Sequence, residues 1–237
     1  MREGCSMSAI GKKAAIISLG MSCQSSHQIR SNISLLRSLT RDDTLEVKSL
    51  PFDWLICPPA SATRILSDKH RFPERHELAI NVRPFWMPKN TYFWHHFRDD
   101  NKAYDLDRHY EDTKKLYLQR WERFDAVTKD PNRRLIVILS NTQNDLIKTE
   151  RRVGTISKTF RLSEIISNTK LIEDSFGRPT EFIIVTAADR FINDARPSSN
   201  VAIFHHSLDQ TDWEGDVEQW NNTFSTYFIS NPLMQAS

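Results

Sequence analysis

The sequence predicts an α/β fold, a mostly parallel sheet flanked by helices, interrupted by a proline- and aromatic-rich insertion. Two observations predict it. Four short, continuous apolar runs, each followed by polar residues, read as strands buried on both faces, the pattern of a parallel sheet. Segments with apolar side chains at three-to-four residue spacing lie among them, so strands alternate with helices. A chain of 237 residues is also long enough to bury a substantial core around one such sheet.

Residues 1–13 have no periodicity and are expected to be disordered, which leaves 14–237 as a single α/β domain. The first strand is Ala14 to Leu19, ending at Gly20. Ile29, Ile33, Leu36 and Leu39 predict one long helix after it. From Val47 to Phe97, Pro51, Pro58, Pro59, Pro73, Pro84 and Pro88 break the rhythm, since each removes an amide donor and fixes φ. A long, partly irregular insertion is predicted there, and such segments commonly form a pocket wall or lid. Tyr110, Tyr117, Trp121 and Phe124 keep helical spacing, and Arg134 to Leu139 follows as the second strand. Phe160, Ile165 or Ile166, and Ile172 give a further helix. Glu181 to Thr186 and Val201 to Phe204 are the last two strands.

Composition excludes several classes. The 30 acidic and 32 basic residues nearly cancel, and the bases form no stripe, so no nucleic-acid footprint is expected. No stretch approaches the ~18 apolar residues of a membrane span, and the opening residues lack a signal-peptide core. Cys5, Cys23 and Cys57 form no C-x-x-C pair, which points to a reducing compartment and a cytoplasmic protein. Neither a G-x-G-x-x-G nor a P-loop is present, and no cofactor is expected. The pairs His95-His96 and His205-His206 are weak metal signals, because alternation along a strand sends their members apart. Partners therefore reduce to a peptide or small-molecule substrate, with oligomeric state unspecified.

Cys23 carries the chemical interest. It follows the first strand and opens the first helix, where unpaired amides and the helix dipole favour a thiolate. In a parallel sheet, ligands sit at the carboxyl ends of the strands. The competing reading is a small, buried, inert cysteine. A thiol nucleophile needs a base. His95 and His96 are candidates of which only one can face the site, and His27, one helical turn from Cys23, ranks lower. Asp53 is the first candidate to orient the imidazole and Asp216 the second; each can equally cap a turn. The amides of Ser22 and Cys23 could hold an oxyanion. A noncatalytic alternative places Trp54, Trp86, Trp94, Trp213, Arg120 and Arg123 around a sugar or anion.

Several blocks are shared with a known family. Ile17-Ser18-Leu19-Gly20-Met21-Ser22-Cys23, Pro51-Phe52-Asp53-Trp54-Leu55, His95-His96-Phe97, the helix from Tyr117 to Phe124, Ile136-Val137-Ile138-Leu139, and Trp213-Glu214-Gly215-Asp216 with Trp220 carry the likeness. Together they resemble a mostly bacterial family described as papain-like cysteine peptidases. The resemblance implies a cysteine-dependent hydrolase or acyl transferase, with Cys23 as nucleophile and the family histidine at His95. Three positions depart from the family pattern: His96 stands where Asp is usual, Gln119 where the first Arg of a pair is, and Ser140 where an Arg often ends the strand. The family label implies a papain-like α+β fold, whereas the strand–helix alternation predicts a Rossmann-like sheet.

Overall fold

The computed structural model describes residues 13–143, 152–153, 156–208 and 213–230. In chain order its elements are β1 (Lys13–Ser18), α1 (Gln24–Ser31), α2 (Ile33–Thr40), β2 (Leu55–Ile56), α3 (Pro59–Leu66), β3 (Leu78–Asn81), β4 (Arg83–Trp86), β5 (Thr91–Phe93), α4 (Leu106–Thr128), β6 (Arg133–Ser140), β7 (Arg152–Val153), β8 (Ile156–Ser157), β9 (Phe160–Arg161), α5 (Leu162–Phe176), β10 (Thr180–Ala187), β11 (Phe191–Ile192), β12 (Val201–His206) and α6 (Val217–Ser230). Short 3-10 turns join several of them.

The four apolar runs pair in the order β1-β6-β10-β12, every pair parallel. Their side chains alternate. Ala15, Ile17, Leu135, Val137, Phe182 and Ile184 face one layer, built from α3, α4, α5 and the insertion. Ala14, Ile16, Ile136, Ile138, Ile183 and Val185 face the other, where Ile29 of α1, Leu36 of α2 and Trp220 and Phe224 of α6 cover them. Both faces are thus dry, which is why the runs read as unbroken apolar stretches instead of alternating ones. Each fully buried Ile or Val contributes about 1.5–3 kcal/mol, so the sheet is the stable platform of the molecule.

Three sequence expectations are corrected. The single long helix is two, because Asn32 sits at φ −98° between α1 and α2. Its Nδ2 donates to both the carbonyl and the side chain of Gln28, a local bond that competes with the helical ladder. Phe160 belongs to β9 and not to α5. The insertion is more regular than its prolines imply: β2-β5-β4-β3 form a second, antiparallel sheet, and α3 an eight-residue helix. Pro51, Pro59 and Pro88 stand at the starts of short turns or helices, where no amide donor is needed. Of the segment expected to be disordered, Lys13 begins β1 and residues 1–12 lie outside the described residues. Among the described residues no helix is long and apolar enough to cross a membrane.

Candidate active site

The turn from β1 into α1 is too tight for a side chain at its first position. A Cβ on Gly20 would lie 2.3 Å from Ser25 Oγ, which is itself bonded to Ser18 Oγ at 2.7 Å. This closure puts Cys23 at the N-cap of α1, buried at 6% exposure, with its side chain making no capping bond. The sulfur is therefore available to other partners. Cys23 Sγ lies 3.8 Å from His95 Nε2 and 3.5 Å from Gln143 Oε1. His95 comes from the insertion, two residues after β5, and Gln143 lies three residues beyond β6. Three segments distant in sequence thus meet at the carboxyl ends of β1 and β6.

His95 is fixed by its surroundings. Its ring meets Trp54 edge-on, with centroids 5.3 Å apart. Its Nδ1 lies 3.2 Å from an Nη of Arg98. A guanidinium can only donate, so Nδ1 is the acceptor and the neutral ring carries its proton on Nε2, toward the sulfur. Arg98 reaches back because Phe97 between them adopts φ +60°. That conformation costs a bulky residue about 1–2 kcal/mol, offset by burial of the Phe97 ring against Phe72 and Phe93.

His96 faces the opposite way. Its Nε2 accepts from Arg120 at 2.9 Å and its Nδ1 faces the Tyr117 hydroxyl at 3.5 Å. Burial, and after it the Arg120 cation, hold its pKa well below the ordinary histidine value, so the ring is neutral. His27 does not approach the sulfur; its ring packs on Trp213 with centroids 4.9 Å apart, and its Nε2 meets Ser31.

Neither predicted orienting carboxylate reaches His95. Asp53, 2% exposed, accepts from Arg30 Nη2 at 2.5 Å and from the Leu50 amide at 2.9 Å, and so closes the turn that begins with Pro51. Burial pushes its carboxyl up to about 6, against the pull of Arg30. Asp216 caps α6 by accepting from the Gln219 amide at 3.0 Å, a bond that holds it below the ordinary value. The physical reason is the same for both: a carboxylate goes to the nearest unsatisfied amide or cation.

Of the proposed substrate contacts, Trp54 stands against His95, half-buried. Trp213, also half-buried, packs on His27, and its carbonyl accepts from Gln24 at 2.9 Å. Ser22 is buried, and its Oγ has no hydrogen-bond partner among the described residues. Arg120 is a correction: at 7% exposure its guanidinium is spent on His96 inside the protein. Trp86, at 2% exposure, belongs to the core.

Four residues of the site were missed. Gln143 contacts the sulfur, and Arg98 contacts the imidazole. Gln24 ties α1 to Thr142 and to the Trp213 carbonyl. Arg190, buried after β10, donates to the carbonyls of Asn141 and Gln143 at 2.8 and 3.1 Å. For Gln24, Gln143 and Arg190 the available signal was position past the carboxyl end of a parallel strand; Arg98 follows the antiparallel β5 and had no such signal. A cavity of about 720 Å³ lies elsewhere, around Arg134, Phe176 and Arg178 at the amino ends of β6 and β10. Its cations are used internally, Arg134 by Glu181 and Arg178 by the carbonyl of Thr128.

No family model matches the chain, and no curated protein or solved structure matches it.

Proposed function

We propose that the protein is a cysteine-dependent hydrolase or acyl transferase, as its resemblance to the papain-like peptidases implies, built on a Rossmann-like sheet. The observation that carries this reading is the 3.8 Å approach of Cys23 Sγ to His95 Nε2 across 72 residues of sequence. That distance is within the range of a resting nucleophile–base pair, which commonly tightens only with substrate bound. Cys23 attacks a carbonyl carbon; His95 gains a proton as the thiol is ionised and delivers one to the leaving group. In this reading the Ser22 hydroxyl, buried and without a partner among the described residues, and the Ser22 amide donate to the developing oxyanion. Gln143 accepts from the thiol in the resting state and gives way to substrate.

Alkylation tests this without a known substrate. Cys23 is expected to react with iodoacetamide at pH 6 faster than glutathione, and His95→Ala to bring it to the glutathione rate. Cys57 is the internal control: it is fully buried and its thiol is pushed up to about 12 by burial, so it stays unmodified while the protein is folded. A Cys23 that reacts no faster than glutathione, with or without His95, removes the nucleophile role.

A further inference from the structure

The contact between Arg98 and His95 is the reverse of what a thiol–imidazole pair needs. An imidazolium carries protons on both ring nitrogens and wants an acceptor at Nδ1. Here a cation donates to Nδ1 at 3.2 Å. While that bond stands, Nδ1 cannot take a proton, and Nε2, already protonated, cannot accept one from the thiol. The resting site is therefore held mainly in the neutral tautomer, and the thiolate forms only in the fraction of molecules in which Arg98 has moved off Nδ1.

Arg98, half-buried, also has no carboxylate partner among the described residues. The neighbouring Asp99 is turned away, its carboxylate accepting from the Ala103 amide at 2.9 Å. A second guanidinium without a carboxylate partner among the described residues stands close by: Arg83 donates to the hydroxyl of Tyr104, the residue that bridges Arg98 in backbone pairing. Arg83 Nε is buried with no hydrogen-bond partner among the described residues, and its guanidinium lies over Trp94, 4.6 Å from the ring centroid. Arginine forks of this kind match carboxylates in bidentate fashion.

Resting on the thiol reading above, we infer that Arg98 is the specificity-determining residue of the site, which takes an acyl substrate bearing a carboxylate beside the scissile carbonyl. The substrate's carboxylate pairs with Arg98 and draws it off Nδ1. Nδ1 then gains a proton as the thiol loses one through water, giving a thiolate and an imidazolium. The sulfur forms its bond to the carbonyl carbon, and the carbonyl electron pair moves to oxygen. As the leaving group departs with the Nε2 proton, the ring is left protonated on Nδ1. Its free Nε2 then takes a proton from the water that cleaves the thioester. A substrate without the anion reacts only through the minor fraction in which Arg98 is already displaced, and so more slowly.

Two alkylating agents of like size and reactivity separate these steps, iodoacetate with a carboxylate and iodoacetamide without one. For Cys23 the rate with iodoacetate relative to iodoacetamide is expected to exceed the same ratio for glutathione by about tenfold or more, the worth of one hydrogen bond to a charged group. Arg98→Gln should bring the ratio to that of glutathione, and Arg98→Lys should keep part of it. Acetate should also speed iodoacetamide labelling of the wild type at pH 6 and leave the Arg98→Gln variant unchanged. Continued protection of Cys57 shows that each variant is folded. A wild-type ratio equal to that of glutathione, with Cys23 still reacting rapidly with iodoacetamide, overturns the inference and leaves the nucleophile standing. An acetate effect absent from the wild type overturns the release of Nδ1. A Cys23 inert to both reagents removes the inference together with the reading beneath it.

Discussion

Replacing Asp53 by Asn gives a stability change whose sign depends on pH. The folded carboxyl is pushed up to about 6 by burial, against an ordinary 3.8. Below about pH 4 it is protonated in both states and has no effect. Between 3.8 and 6 the unfolded chain releases its proton while the folded chain keeps it, so stability falls as pH rises through that window. Above it the cost is constant, and the difference in proton affinity converts to about 3 kcal/mol. Asn at this position stays neutral at every pH and still offers an acceptor to the Leu50 amide. Arg30, 31% exposed, can turn to water. Urea unfolding followed by tryptophan fluorescence at pH 4, 5, 6 and 7 is therefore expected to show the gap between variant and wild type moving in the variant's favour, by up to about 3 kcal/mol. A gap that stays constant, or moves toward the wild type as pH rises, would refute the assignment of burial as the dominant cause. The same variant should label at Cys23 within a few-fold of the wild type. Loss of the order of 10⁴ in turnover, as when an orienting acid is removed from a catalytic triad, would return Asp53 to that role.

Gly215→Ala is expected to destabilise by more than the ~1–2 kcal/mol of a strained backbone, since φ there is +82° and the new Cβ would sit 2.8 Å from Gln24 Nε2; an unchanged melting temperature would contradict this. His206, bonded to Thr223 and held down to about 4 by burial, contributes stability that is complete above pH 6.5 and lost as pH falls toward 4, about 3 kcal/mol in all. Comparing the wild type with His206→Gln over that range isolates it from Asp53, and a difference independent of pH would show that the ring is not buried neutral.

The sheet was legible because burial on both faces leaves nothing polar in a strand: each of the four runs lies within one residue of the predicted start, and they pair as expected. The helix break at Asn32 was not, since Ile29, Ile33 and Leu36 keep their spacing through it and the side-chain bond to Gln28 leaves no apolar signature. The second sheet was hidden for a related reason. Strands of two to four residues are too short for a period to register, and aromatic residues satisfied the strand and the irregular reading equally. Cys23 was singled out by its strand-end position, a property of the local chain, whereas alternation left His95 and His96 both open and the family resemblance pointed to His95. Asp53 and Asp216 were misassigned because a carboxylate's partner is decided by which donors fold brings within 3 Å, and Leu50 and Gln219 are nearer in sequence than any base.

The same distinction explains why the pair of residues named by the sequence does not by itself make a working site. Proximity of sulfur and imidazole is a property of the fold, set by the Gly20 turn and by the course of the chain after β5. Which nitrogen holds the proton is set by what touches the far side of the ring, and a cation there and a carboxylate there have opposite effects on an identical Cys–His distance. In this chain His96 occupies the position where the resembled family has an acid, and it turns inward to Arg120, while Arg98 takes the far side of the His95 ring. A carboxylate arriving with the substrate would supply the charge that no described acid places beside that guanidinium. On this reasoning, neutral peptides are poor test substrates, and a screen for activity should begin with acyl compounds that carry an acid group next to the bond to be cleaved.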